Sequence, residues 1–135
     1  QLVHRAIVTP GSETSPFTRA DLRPDLTDKI VDGVRISLAA DARAQRESVL
    51  RFTVREHLSG AALIDLEPYL GAAGHLLAVD PDVTMAIHAH PEGRATNGPD
   101  VVFAPVFPAP GLYKLWVQFQ RNGNVITAPF AVQVR

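Results

Sequence analysis

Residues 110–134 read PGLYKLWVQFQRNGNVITAPFAVQV, and this stretch decides the fold. Asn122-Gly123 stands between two runs of alternating apolar and polar residues. A type I′ turn needs positive φ at both central positions, and this dipeptide supplies it most readily. Pairing Arg121 with Asn124 sets a register in which Phe119 faces Ile126, Val117 faces Ala128 and Leu115 faces Phe130. All six fall on one face, as a hairpin buried on one side requires. Lys114, Trp116, Gln118 and Gln120 take the other face with Thr127 and Pro129. Proline has no amide hydrogen to give to a ladder, so Pro129 predicts an edge strand or a bulge.

Working outward, Gly111, Tyr113 and Leu115 have the spacing of the tyrosine corner of immunoglobulin-like sandwiches, with Leu115 in the place of the second cysteine. Val34, Ile36 and Leu38 alternate with Arg35 and Ser37, and Leu50, Phe52 and Val54 alternate with Arg51, Thr53 and Arg55. Both read as half-buried strands. The intervening ADARAQRES reads as a polar, exposed linker, and Arg35, Arg51 and Arg55 as a solvated face. Eleven prolines and nine glycines punctuate these short runs, and long helical periodicity is absent. The prediction is an all-β, two-layer antiparallel β-sandwich, immunoglobulin-like or cupredoxin-like. It occupies residues 31–135. Residues 1–30 form an amino-terminal arm, with a first strand over 2–9 and a helical turn over 18–27 that Pro24 limits.

Composition narrows the function. A chain of 135 residues with 46% hydrophobic and 20% charged side chains has the material for one domain with an ordinary core. A net charge of -1 gives no electrostatic footprint for nucleic acid. No apolar run has the roughly 20 residues that a membrane-spanning helix needs. The absence of cysteine excludes disulfides, thiolate metal sites and a thiol nucleophile. The chain opens on Gln1 rather than Met, which reads as a processed or excised piece.

The chemistry is concentrated in GHLLAVDPDVTMAIHAHPEG, residues 74–93. A turn around Pro81-Asp82 makes this a second hairpin, with the expected pairs Asp80–Val83, Val79–Thr84, Leu77–Ala86 and His75–His88. His90 follows His88 by two residues and shares its face. Leu76, Ala78, Val83, Met85, Ile87 and Ala89 take the opposite, core face. Three imidazoles within mutual reach are a candidate site for copper or zinc, since neutral imidazole is a common ligand of both. Asp65 and Glu67 are candidates for a carboxylate metal ligand or for an acceptor that orients an imidazole, and Glu92 for a residue near the site, each set against a simpler role as a solvated surface or turn residue. Met85, the single methionine, lies on the core face, which argues against a thioether cluster for copper(I). Trp116 has three readings: a cover for the histidines, a marker of a binding surface, or a residue packed under the amino-terminal arm, which is preferred. His4 and His57 read as surface histidines.

Taken together, DLEPYLGAAGH (65–75), HAHPE (88–92) and the 110–134 stretch resemble a family of bacterial secreted or periplasmic β-sandwich domains grouped with YtkA-like and CopC-like modules. The resemblance covers roughly residues 30–135, and its motif is LEPYLGAxGH…HxHP. It implies a periplasmic or extracellular location and an association with copper or heavy-metal handling, with His75, His88 and His90 as the histidines of the motif. The leading expectation is a non-enzymatic metal-binding module for sequestration, delivery or sensing, whose partner besides the metal is another periplasmic or membrane protein. The alternatives are a structural or protein-interaction domain, and a three-histidine zinc hydrolase. The hydrolase needs a general base and a cleft that the sequence does not display.

Overall fold

The computed structural model describes residues 2–5, 23–25, 28–93 and 96–135. Among the described residues nine strands follow in chain order: β1 (Leu2–Arg5), β2 (Lys29–Val31), β3 (Val34–Asp41), β4 (Val49–Glu56), β5 (His75–Val79), β6 (Met85–Ala89), β7 (Asp100–Phe103), β8 (Gly111–Arg121) and β9 (Asn124–Val134). They form two antiparallel sheets, one ordered β1-β6-β5-β8-β9 and the other β2-β3-β4-β7. The expected all-β sandwich is therefore observed. Among the described residues no helix is long and apolar enough to cross a membrane.

The β8–β9 hairpin has the expected register throughout, with Arg121 opposite Asn124 and Leu115 opposite Phe130. Asn122 and Gly123 have φ of 51° and 74°, the two positive values of a type I′ turn. All six residues predicted to face inward are buried. Pro129 lies on β9, the last strand of its sheet, where its missing amide costs no ladder bond. Against this face the second sheet packs Ile36, Leu50, Phe52, Val54 and Phe103. Phe52 lies at the centre, edge-on to Phe103, Phe119 and Phe130 at centroid distances of 5.7, 6.2 and 5.6 Å. Edge-to-face contact places the positive rim of one ring on the negative face of the next. The tyrosine corner is also present: the buried Tyr113 hydroxyl donates to the Ala109 carbonyl at 3.0 Å.

Several expectations need correction. Asp32-Gly33, with φ of 51° and 76°, turns β2 into β3 through Val31 opposite Val34. This is a second Asx-Gly hairpin of the same type, legible in the sequence but unread there. The 40–48 linker is not wholly exposed, because Ala42 and Ser48 are buried. The Ser48 hydroxyl accepts from the Arg43 amide and donates to the Arg43 carbonyl, which closes a compact loop. The first strand is described over Leu2–Arg5, and residues 6–9 lie outside those described, as does most of the expected helical turn over 18–27. Within that segment Asp25 bridges to Ala131 of β9.

Candidate metal centre

The histidine hairpin forms, with its register displaced by two residues. Leu77 stands opposite His88 and Val79 opposite Ala86. The cause is Asp80. Its carboxylate accepts from the amides of Thr84 and Met85, both at 2.8 Å, and from the Thr84 hydroxyl at 2.7 Å. Its backbone amide bonds the Met85 carbonyl at 3.2 Å, so the loop comprises Pro81 to Thr84. Val83 takes a positive φ of 55° in this wider loop and is exposed, not part of the core as expected. A slip of one residue would have sent every side chain to the wrong face, whereas a slip of two preserves faces. His75, His88 and His90 therefore still converge.

Pairing across β6, β5 and β8 lays two rows over the outer face of the five-stranded sheet. One runs His88, Leu77, Trp116, Pro129. The other runs His75, Gln118, Thr127. His75 Nδ1 lies 3.4 Å from His88 Nε2, and His88 Nε2 lies 3.3 Å from His90 Nε2. One ligand atom from each of the three residues falls within 4.8 Å of the other two. A metal with bonds of about 2.0–2.1 Å to tetrahedrally placed nitrogens separates them by about 3.3 Å, and the two spacings to His88 Nε2 match that value. The fit extends to the surroundings. His75 is 6% exposed, His88 is half-buried and His90 is exposed, which grades the site from a fixed inner ligand to an accessible outer one.

The segment before β5 holds His75 in place. Tyr69 and Ala72 exchange backbone hydrogen bonds of 2.8 and 3.1 Å around Leu70-Gly71, whose φ values of 49° and 81° make another turn of the I′ type. The Tyr69 carbonyl faces His75 Nε2 at 2.7 Å, and its ring packs edge-on to the imidazole at 5.2 Å. Gly74 makes the approach possible. A Cβ there would come within 2.9 Å of both the Gln118 carbonyl and the Phe119 ring.

The acidic candidates are placed differently. Asp65 pairs with Arg121 Nε at 2.8 Å. One Glu67 oxygen accepts from Gln120 Nε2 at 3.0 Å and from the Gly123 amide at 2.9 Å. These contacts hold both carboxyls below their ordinary range, the Arg121 hydrogen bond for Asp65 and the Gly123 amide for Glu67. Both therefore tie the 61–73 segment to the tip of the β8–β9 hairpin. The Glu92 side chain is exposed, and its amide bonds the Val102 carbonyl at 2.8 Å. The acceptor that orients an imidazole is instead the Tyr69 backbone, which no side-chain pattern announces. His57 is half-buried, with a buried Nδ1 that has no hydrogen-bond partner among the described residues, and is not the plain surface histidine expected. Trp116 lines a cavity with His75 and His88; of the described parts of the arm, β1 pairs with β6, and Asp25 bridges to Ala131 of β9.

Residues 29–135 match the family described as a domain of unknown function, DUF8832. The chain belongs to that family. No curated protein sequence matches the chain. Among solved structures, the DUF8832 sandwich is similar to FetP of uropathogenic Escherichia coli strain F11, with a TM-score of 0.58, 9% identity, and coverage of 84% of this chain and 96% of that one. It is similar also to the copper-reconstituted P19 protein of Campylobacter jejuni, with a TM-score of 0.59, 8% identity, and coverage of 82% and 94%. A copper-bound variant of FetP gives a TM-score of 0.58 at 8% identity, with coverage of 82% and 95%. At such identities the likeness is one of fold, and it extends over nearly the whole of the related chains.

Proposed function

We propose that this domain is an extracytoplasmic metal-binding module in which His75, His88 and His90 hold copper(II), for sequestration, delivery or sensing. The convergence of three ring nitrogens, all within 4.8 Å of one another and with His88 Nε2 3.3–3.4 Å from the other two, carries the reading. Three imidazoles crowded on one sheet face are poorly used as ordinary surface residues, and each presents a lone pair to a common point once its other nitrogen carries the proton. Copper is preferred to zinc because the stability order for nitrogen ligands favours copper(II). The copper-bound FetP variant and the copper-reconstituted P19 share the sandwich and support that choice, and FetP, recombinantly expressed in the periplasm, is in keeping with a periplasmic location. A bound copper(II) ion would supply a Lewis-acidic centre with room for a further ligand.

Calorimetric titration of chelator-stripped protein with copper(II), then zinc, at neutral pH tests the reading. We expect one equivalent of copper bound more tightly than zinc, and a loss of affinity of more than about tenfold, roughly 1.4 kcal/mol, in His75→Ala and in His88→Ala. Trp116, the single tryptophan, lies two strand spacings from His88, about 10 Å, and its fluorescence should fall as copper binds. No saturable binding in the micromolar range, or equal affinity in both variants, would overturn the metal site and leave an interaction domain as the account.

A further inference from the structure

A cavity of about 300 Å³ opens beside the histidines on the outer face of the five-stranded sheet. His75 and His88 form one side of it, and Leu76, Leu77, Trp116, Gln118 and Thr127 form the rest. All but Leu76 are neighbours within the two cross-strand rows, so rigid strands, not a loop, shape the cavity. Among the described residues no charged side chain lines it. Leu77 leaves 38% of its surface exposed there, an unusual position for leucine in the middle of a central strand. The one polar corner is partly satisfied, because Gln118 Nε2 donates to Thr127 Oγ1 at 3.2 Å. That leaves the Gln118 carbonyl as an acceptor and the Thr127 hydroxyl hydrogen as a donor.

Charge completes the argument, which rests on the metal reading above. Three neutral imidazoles leave a divalent ion with its charge uncompensated. Among the described residues no carboxylate joins the three histidines. Asp65 and Glu67 are spent on Arg121, Gln120 and Gly123. No described side chain supplies the compensating anion, so an anion from solution has a place there. The apolar wall of Leu77 and Trp116 selects one with an apolar body, and the Lys114 ammonium, 5.9 Å from the Trp116 ring centroid, adds positive potential nearby.

We infer that this cavity is a binding site for a small organic carboxylate, which places its carboxylate toward the metal held by the histidines and its apolar body against Leu77 and Trp116. Such a site makes the domain a receptor for metal together with a small acid.

The whole chain loaded with one equivalent of copper(II) is titrated with benzoate and, separately, with acetate, read by the copper visible band and by electron paramagnetic resonance. We expect a saturable benzoate shift with at least tenfold tighter binding than acetate. Trp116→Ala and, independently, Leu77→Ser should reduce benzoate to the acetate level while copper affinity stays within about twofold. An unmoved copper signal, equal binding of the two acids, or full benzoate affinity in both variants would overturn the inference while leaving the metal site standing. Failure of copper to bind, read by calorimetry on the same sample, would overturn the metal reading and this one with it.

Discussion

His75 Nε2 and the backbone carbonyl of Tyr69 lie 2.7 Å apart, and this contact decides which nitrogen of the ring faces the other two histidines. A carbonyl oxygen only accepts, so Nε2 must carry the hydrogen. In neutral imidazole the bare nitrogen is then Nδ1, the atom 3.4 Å from His88 Nε2. The Tyr69–Ala72 turn thus sets the tautomer of the most buried ligand before any metal arrives, and ordering the ring in advance lowers the cost of binding.

The first prediction concerns that tautomer. Nitrogen-15 spectra of the metal-free protein at neutral pH should show His75 protonated at Nε2 and bare at Nδ1. Zinc, which does not broaden the spectra, should perturb Nδ1. A His75 ring protonated at Nδ1 in the metal-free state would contradict the assignment.

Gly74 allows β5 to start against β8, and the contact its missing Cβ avoids involves a backbone carbonyl and a core ring, neither free to swing away. Gly74→Ala should destabilise the domain by about 1–3 kcal/mol, the usual cost of overpacking. It should also lower copper affinity, because His75 is the next residue. An unchanged urea midpoint would show that the strand accommodates the methyl group.

Tyr113→Phe removes the hydroxyl that bonds the Ala109 carbonyl at 3.0 Å in a buried setting. The expected loss is about 1 kcal/mol, with no effect on metal affinity because the corner is remote from the histidines in the sheet register. Equal urea midpoints for the two proteins would remove the corner from the stability account.

Glu67 carries the pH prediction. Its carboxyl is held below the ordinary value of 4.5, first by the Gly123 amide and then by the Gln120 side chain. A lowered folded value means that the ionised form is favoured in the folded state. Its contribution to stability is therefore complete above the ordinary value and is lost as pH falls through the lowered one. Carbonyl carbon-13 titration should give a Glu67 midpoint below 4.5, and Glu67→Gln should loosen amide-exchange protection at Gly123. A midpoint at or above the ordinary value would break the link between the 61–73 segment and the hairpin tip.

The sequence by itself determined the sandwich. Alternation with period two and Asn122-Gly123 leave one register for β8 and β9, because any odd slip exposes Phe119, Val117 and Leu115. The same parity rule put His75, His88 and His90 on one face, and it survived a wrong loop length because the error was two residues. What parity does not encode is distance along the strand. Asp80 decided that through three hydrogen bonds to Thr84 and Met85, which place His75 diagonally across from His88. The tertiary structure alone decided the rest. Leu70-Gly71 turns the chain so that a backbone carbonyl meets His75, and the hairpin tip claims Asp65 and Glu67. Carboxylates read as metal partners from their nearness in sequence are drawn away by donors more than fifty residues distant, the Arg121 guanidinium and the Gly123 amide. Local pattern fixes which side of a strand a group occupies. Which partner it meets depends on segments brought together only by folding.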